Sequence, residues 1–353
     1  LFIRKNNMSE QVMPEYYEEL LELLDKHFRF KSEEDRILHA VSLVTRLISD
    51  IPHPIEVIHG EKGASKTTTM RKNRSLIDPS PRDVISIPKA IQDLAITISN
   101  NYMPCFDNLD NISSDKSDLF CIASTGGGYS KRKLYSNDDE SIVSFKSRIT
   151  LNGINVIATK ADLLDRCIVL TLDRIPEDER KEERLVWDSF NKDKPMILGA
   201  MFEVLSKAKR IYKTVNLTKL GRMADFTRWG YAVAEALEIG GEKFLEAYLN
   251  NQRKANQEAV DSSPIATALI KYMNDNNTFT GTVSQLLLCL NQVAENEQID
   301  TTSKLWAKEA NVLSRRLNEM KSNLELEGIY YEITQRNHGR IIDIVKIPKE
   351  KVA

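Results

Sequence analysis

No run of apolar residues in the 353-residue sequence approaches the roughly 20 that a membrane-spanning helix needs, and no signal peptide opens the chain. The expectation is a protein with no membrane partner. Cysteine is scarce. Cys105, Cys121, Cys167 and Cys289 are scattered and form no C-x-x-C pair, which excludes a disulfide framework or a zinc site and leaves buried thiols in a reducing, cytoplasmic compartment as the expectation. An excess of one charge is also missing: 49 Lys and Arg face 51 Asp and Glu, for a formal net charge of -2. The balance does not mark a nucleic-acid binder, but a local basic patch can act inside a neutral protein. Internal repeats and low-complexity segments are absent. What is present, 41% hydrophobic residues over this length, suffices for two or three domains with a substantial core. The chain opens on Leu1 rather than Met, so it is expected to be part of a longer protein.

The pattern divides the chain into four stretches. Residues 1–50 read as an N-terminal helical segment, with Leu and acidic residues at helical spacing near 15–30 and a second helix near 33–48, before the break at Pro52 and Pro54. In 51–175, short β-branched runs at 55–58, 84–87, 102–107, 148–152 and 167–172 alternate with helical patterns, as in a mostly parallel sheet covered by helices. Residues 176–258 read as helical throughout. Residues 259–353 read as three helices and two strands, 328–334 and 340–347, joined by a polar turn, which is the order of a winged helix.

One segment carries the most chemistry. The run Ile55-Glu56-Val57-Ile58-His59 leads into Gly60-Glu61-Lys62-Gly63-Ala64-Ser65-Lys66-Thr67-Thr68 and then a helix. Strand, glycine loop, Lys-Thr and helix follow one another as in a phosphate-binding P-loop. Backbone N–H groups of such a loop point at phosphate oxygens, and the helix adds its positive end. Lys66 is then the residue that reaches the β- and γ-phosphates of ATP, and Thr67 the one that offers a hydroxyl to Mg²⁺. The pattern asks for Gly before the lysine, and Ser65 stands there; serine is small but poorly suited to positive φ. The competing account is a solvated turn.

Further residues fit the same chemistry. The strand expected at 102–107 ends on Asp107, placed to hold Mg²⁺ through water. The next position, where a glutamate base is expected, is Asn108, which can orient a water but cannot take its proton; Asp110 is the substitute at hand. Then come Gly126-Gly127-Gly128 and a basic cluster, Lys131, Arg132 and Lys133, between Tyr129 and Tyr135, suited to phosphates and bases or simply to a solvated hairpin tip. Asn152 ends the following strand, where it would hold the attacking water or sense the γ-phosphate, although Asn152-Gly153 is also an ordinary turn pair. Arg166 precedes the last strand, where it could act as a finger on a neighbour's nucleotide or form a surface pair with Asp165.

In this order the motifs resemble those of the AAA+ ATPases, and within them the superfamily 3 and minichromosome-maintenance-like replicative helicases of phages, viruses and mobile genetic elements. The decisive segment is Thr125-Gly126-Gly127 followed by Lys131-Arg132-Lys133-Leu134-Tyr135, which looks like the hairpin that contacts DNA in the central channel of the hexamer. Asn152 resembles the sensor 1 position, and Asp162-Leu163-Leu164-Asp165-Arg166 the segment with the arginine finger. Leu220-Gly221-Arg222-Met223-Ala224-Asp225-Phe226-Thr227-Arg228-Trp229 resembles the start of a lid helix carrying sensor 2, with Arg222 first in line for that role and Arg228 second. The resemblance covers roughly residues 40–255 and departs from the pattern at Ser65 and Asn108. It implies an α/β fold: a P-loop AAA+ core with a parallel sheet, a helical lid and a C-terminal winged-helix domain.

The implied function is an ATP-dependent DNA helicase or translocase in replication, using Mg²⁺, acting as a ring hexamer on single-stranded DNA and working with a primase or origin-binding domain or protein. In the C-terminal stretch, Arg315, Arg316, Arg336 and Arg340 are the expected DNA contacts, although winged helices also bind proteins. A different reading is an ATP-binding assembly or loading factor with slow or no hydrolysis, motivated by Asn108. A small-molecule kinase would need an acceptor site for which the sequence gives no sign.

Overall fold

The computed structural model describes residues 7–109, 112–132, 140–153, 161–218, 220–303, 305–336 and 339–347, with the side chains of 130–132, 140–143, 161, 336 and 339 left aside. The chain forms two compact units, Leu1–Val156 with Asp165–Gln252, and Ile157–Leu164 with Arg253–Ala353.

In the first unit, α1 (Leu20–His27) and α2 (Glu33–Thr45) precede strand β1 (Ile55–His59). Ser32 caps α2 by accepting a hydrogen bond from the Asp35 N–H. Then follow α3 (Lys66–Ile77), α4 (Ile91–Ser99), β2 (Cys105–Phe106), α5 (Ser114–Thr125), the hairpin β3 (Gly127–Arg132) and β4 (Glu140–Phe145), and β5 (Thr150–Asn152). After α6 (Ala161–Leu164), which belongs to the other unit, come β6 (Cys167–Thr171), α7 (Glu183–Ile211) and α8 (Ala224–Ala236); α9 (Gly241–Asp261) runs past the division.

Four strands form a parallel sheet in the order β2-β5-β1-β6, with Val57 opposite Leu151 and Val169. The expected strand at 84–87 is reduced to one bridge, Ile85 to Phe106, and the strand at 102–107 to two residues. Prolines explain both: Pro81 and Pro88 bracket the first run, and Pro104 has no N–H to give the ladder. The helix expected near 15–30 begins only at Leu20.

Behind the sheet, apolar residues of α1, α2, α7, α8 and α9 enclose one core, including Leu38, Val41, Phe190, Met201, Phe226 and Phe244. A buried polar cluster fixes β1 between two helices. Glu56 of β1 pairs with Arg46 at 3.2 Å and accepts from Asn73 Nδ2 of α3 at 3.2 Å, while Asn73 Oδ1 meets His39 Nε2 of α2 at 2.9 Å. Arg46 and Glu56 are each 1% exposed, so their charges are matched in a dry setting. Through Asn73, in the second half of α3, this cluster holds that helix against β1.

The second unit contains α10 (Pro264–Asp275), β7 (Thr278–Thr282), α11 (Val283–Asn296), α12 (Ala310–Glu319), α13 (Lys321–Leu326), β8 (Ile329–Arg336) and β9 (Gly339–Lys346). Its strands form an antiparallel sheet in the order β7-β9-β8. Thr282 and Gln285 make a reciprocal capping box at the start of α11. Leu269, Leu286, Leu290, Leu313, Leu317 and Ile342 lie in its core. Strand β7 and one of the four helices were not legible as such in the sequence.

Candidate functional site

The loop after β1, residues 60–65, connects the C-terminal end of a central parallel strand to the N-terminus of α3. That is the edge of an open α/β sheet where ligands bind. Gly60 has a φ of 151°, and a Cβ there would meet the Leu172 carbonyl oxygen at 3.1 Å and Ala64 Cβ at 3.2 Å, so the turn requires glycine. Ser65 takes a left-handed conformation, φ 55° and ψ 32°, at the position where the phosphate-loop pattern has glycine. Lys66 donates to the Gly60 and Glu61 carbonyls at 2.7 and 2.9 Å and so folds back over its own loop. Burial lowers its pKa, with Asp107 acting in the opposite direction.

Three strand and helix ends converge here. Thr67 Oγ1 donates to Asp107 Oδ2 at 2.9 Å. Asn152 Nδ2 donates to Asp107 Oδ1 and approaches Thr67 Oγ1 at 3.5 Å. The Asn108 N–H also donates to Asp107 Oδ1, at 2.8 Å. Parallel pairing of β2 and β5 brings Asp107 and Asn152 side by side, a juxtaposition that follows from each residue standing at a strand end. Asn152 is buried, and its Oδ1 has no hydrogen-bond partner among the described residues. The donor set suits Mg²⁺: a hydroxyl and a carboxylate, hard oxygen ligands, lie at the mouth of a glycine loop. Thr67 and Asp107 are the residues that would hold it. Asn108 has a φ of 56°, a conformation that Asn accepts more readily than Glu. The backbone thus gives a physical reason for the missing glutamate. Asp110 lies outside the described residues.

Beside the loop lies a cleft of about 890 Å³ that sequence reasoning missed. It is lined by residues 25–29, by Gly63, Ala64, Ser65 and Thr67 to Thr69 with Arg71 and Lys72, and by Ile175, Arg180 and Val186 among others. Lys72 is its most unusual group. Its ammonium donates to the His27 carbonyl at 2.9 Å and lies over the rings of Phe28 and Phe190, and burial lowers its pKa to about 8. A signal was available: α3 buries Lys72, Asn73 and Arg74, a polarity that a purely structural face would not have.

Other expected residues fall elsewhere. Arg166 immediately precedes β6, and its carbonyl accepts the Ile55 N–H at 2.7 Å, so it stands at the opposite end of β1 and β6 from the loop, roughly 13 Å of strand away. Arg222 is not on the lid helix facing the loop. It precedes α8 and pairs with Asp165 at 3.2 Å, on Arg166's side. Arg228, the second choice, donates to the Val215 and Tyr212 carbonyls at 3.2 Å and stacks on the Tyr212 ring. Lys131 and Arg132 are near the end of β3, opposite Ser141 and Glu140, while Lys133 lies outside the described residues. In the second unit, Arg316 pairs with Glu319 at 3.2 Å, Arg315 is 4.0 Å from the same carboxylate, and Arg340 is exposed on β9. The Arg336 side chain is outside the described set.

Among the described residues, no helix is long and apolar enough to cross a membrane, and no group of three His, Cys, Asp or Glu is placed to hold a metal. Residues 21–257 match the family model described as the actinomycete integrative conjugative element replication protein, and residues 265–351 match that of the AICE RepA C-terminal domain. The chain belongs to this family of replication proteins, which ties it to DNA replication and to a mobile genetic element. This overturns the assignment to the AAA+ superfamily 3 and minichromosome-maintenance-like helicases. That assignment rested on short segments such as Gly126-Gly127 and Asn152-Gly153, each of which turn formation alone can explain, whereas the family match spans two thirds of the chain.

No curated protein matches. Three solved structures of the NrS-1 C-terminal region are similar in fold. An A-form apo structure has a TM-score of 0.44 at 11% identity, over 96% of this chain and 78% of that one. A second A-form apo structure has 0.42 at 10%, over 95% and 77%, and a third apo structure 0.42 at 10%, over 96% and 77%.

Proposed function

We propose that this replication protein is an ATP-dependent DNA translocase, working as a helicase in a ring of copies, with a P-loop core and a C-terminal winged helix. The observation that carries the reading is the convergence of Thr67, Asp107 and Asn152 over the glycine loop that ends in Lys66. In this reading the loop N–H groups and Lys66 bind the phosphates, and the cleft beside α3 takes the nucleoside. Mg²⁺, when bound by Thr67 and Asp107, supplies positive charge against the developing charge of the transferred phosphate. The free Oδ1 of Asn152 orients the attacking water, with Asn108 beside it. The distance of Arg166 and Arg222 from their own loop favours a ring, in which they complete a neighbour's site. The helix and strand order of the second unit, α10-β7-α11-α12-α13-β8-β9, is compatible with a winged helix that touches DNA through Arg315 and Arg340. A primase or an origin-binding protein is the expected companion.

The test of the DNA role is a forked-duplex unwinding assay on the paired variant Lys131→Ala with Lys133→Ala. Basal ATPase activity is expected to stay near wild type and unwinding to disappear; normal unwinding would remove the β3–β4 hairpin from the reading. A second reading, an ATP-switched loading factor with very slow hydrolysis, is favoured by one feature: the residue after Asp107 is an asparagine in a left-handed conformation. Tight ATP-dependent DNA binding without turnover would select it.

A further inference from the structure

The C-terminal end of α7 is strongly basic. Between Phe202 and Lys213 the chain reads Phe-Glu-Val-Leu-Ser-Lys-Ala-Lys-Arg-Ile-Tyr-Lys, with four cations in seven residues at its end. Lys207, Lys209, Arg210 and Lys213 are all exposed, and none is in an ion pair among the described residues. Some cations of this unit are matched, Arg29 with Asp173 and Glu179, Arg36 with Asp25, and Lys243 with Glu33, and others, such as Lys62, Lys89 and Lys192, stand singly; the end of α7 is where four unmatched cations fall within seven residues. The helix dipole favours cations, but only within the last turn, which contains Lys209 and Arg210 and leaves Lys207 and Lys213 unexplained.

Aromatic surface lies beside the cations. Phe202, Ser206 and Lys209 share a helix face at spacings of four and seven residues, and Phe202 is 47% exposed. Tyr212 is stacked on Trp229 with ring centroids 4.0 Å apart and has the Arg228 guanidinium 4.2 Å from its centroid, so its faces are taken and Phe202 is the ring left open beside the cations. The one acid of the segment, Glu203, is half-buried and lies toward Tyr16. Unmatched cations flanking an exposed ring are what a nucleic-acid strand with unstacked bases requires: charge for the phosphates and a ring face for a base. A duplex keeps its bases stacked and would gain nothing from Phe202.

We infer that the C-terminal end of α7 binds single-stranded DNA, with Lys209, Arg210 and Lys213 on the phosphates, Lys207 one turn from Arg210 extending the path round the helix, and Phe202 against a base. The surface is distinct from the hairpin and does not depend on nucleotide, so it stands even if the ATPase reading fails. The test is fluorescence anisotropy with a labelled oligo-dT strand and no nucleotide, over a range of salt concentrations, with thermal unfolding as the check on folding. Replacing all four cations (Lys207→Gln, Lys209→Gln, Arg210→Gln, Lys213→Gln) should weaken binding at least fivefold. It should also reduce the slope of log affinity against log salt by about 2 to 3, from about 0.7 per phosphate contact on a single strand. Phe202→Ala should weaken binding about tenfold with the slope unchanged. Unchanged affinity and slope in the four-site variant would overturn the inference. So would equal loss of duplex binding with a silent Phe202→Ala, which would assign the face to duplex DNA instead. Should the four-site variant unfold, the wild-type protein decides: bound oligo-dT should protect Lys207, Lys209 and Lys213 from acetylation while exposed Lys192, in the other half of α7, reacts as in the free protein. Equal reactivity with and without DNA would contradict it.

Discussion

Lys72 is held as a cation where burial resists it. Its pKa of about 8 in the folded protein lies below the ordinary 10.5, so between those pH values the unfolded chain carries more protons. Folding stability should therefore rise with pH through that window and carry the full cost of the buried charge below about pH 8. The fall corresponds to roughly 3 kcal/mol at neutral pH, partly offset by the hydrogen bond to His27. Lys72→Met should then be about 1–2 kcal/mol more stable at pH 7 in urea unfolding and should lose the rise above pH 8. Its affinity for ATP should fall. A destabilised variant would mean that Lys72 serves the core rather than the cleft. Ser65 is a second strained residue. Ser65→Gly should raise stability by about 0.5–1 kcal/mol, because glycine takes φ near 55° without the penalty of a side chain. The same denaturation experiment checks it, and an unchanged midpoint would deny the strain.

At the scale of elements, the buried Glu56 cluster makes β1, α2 and α3 one piece. Arg46→Ala would leave Glu56 charged and dry, and a loss of about 3–5 kcal/mol is expected in urea unfolding; a loss under 1 kcal/mol would show that water reaches the pair. The elements differ in how far the sequence revealed them. Runs such as Ile55–His59 and Cys167–Thr171 are dense in β-branched residues and pair with each other along their whole length, so pattern and pairing agree. Strand β7, Thr-Phe-Thr-Gly-Thr, is an edge strand with one large apolar residue and gives almost no alternation to read. The site divides in the same way. Lys66, Thr67, Asp107 and Asn152 could be named because each stands at a strand end or helix start, where parallel pairing brings them together. The cleft could not, because it combines residues 25–29 with parts of 63–72 and 175–186, which are adjacent only after folding. The pairing of Arg222 was hidden for a related reason: its partner, Asp165, is 57 residues away in the chain.

For the whole molecule, the sheet sets a length that one chain cannot bridge. Arg166 is at the far end of β6 from Lys66, so a catalytic role for it needs a second copy. Arg166→Ala should lower ATPase activity more than tenfold while leaving ATP binding within about twofold. Mixing it with Lys66→Ala should restore part of the turnover, because a mixed interface can pair an intact loop with an intact arginine. No recovery on mixing, in assemblies shown to exchange subunits, would speak against a shared site. The claim on which the rest depends is that the loop, Thr67, Asp107 and Asn152 form an ATP-hydrolysing site coupled to DNA. The most direct measurement is steady-state ATP hydrolysis with and without single-stranded DNA, for the wild-type chain and for Lys66→Ala. The account predicts turnover that rises with DNA and vanishes in the variant; bound ATP with no turnover in either protein would contradict it.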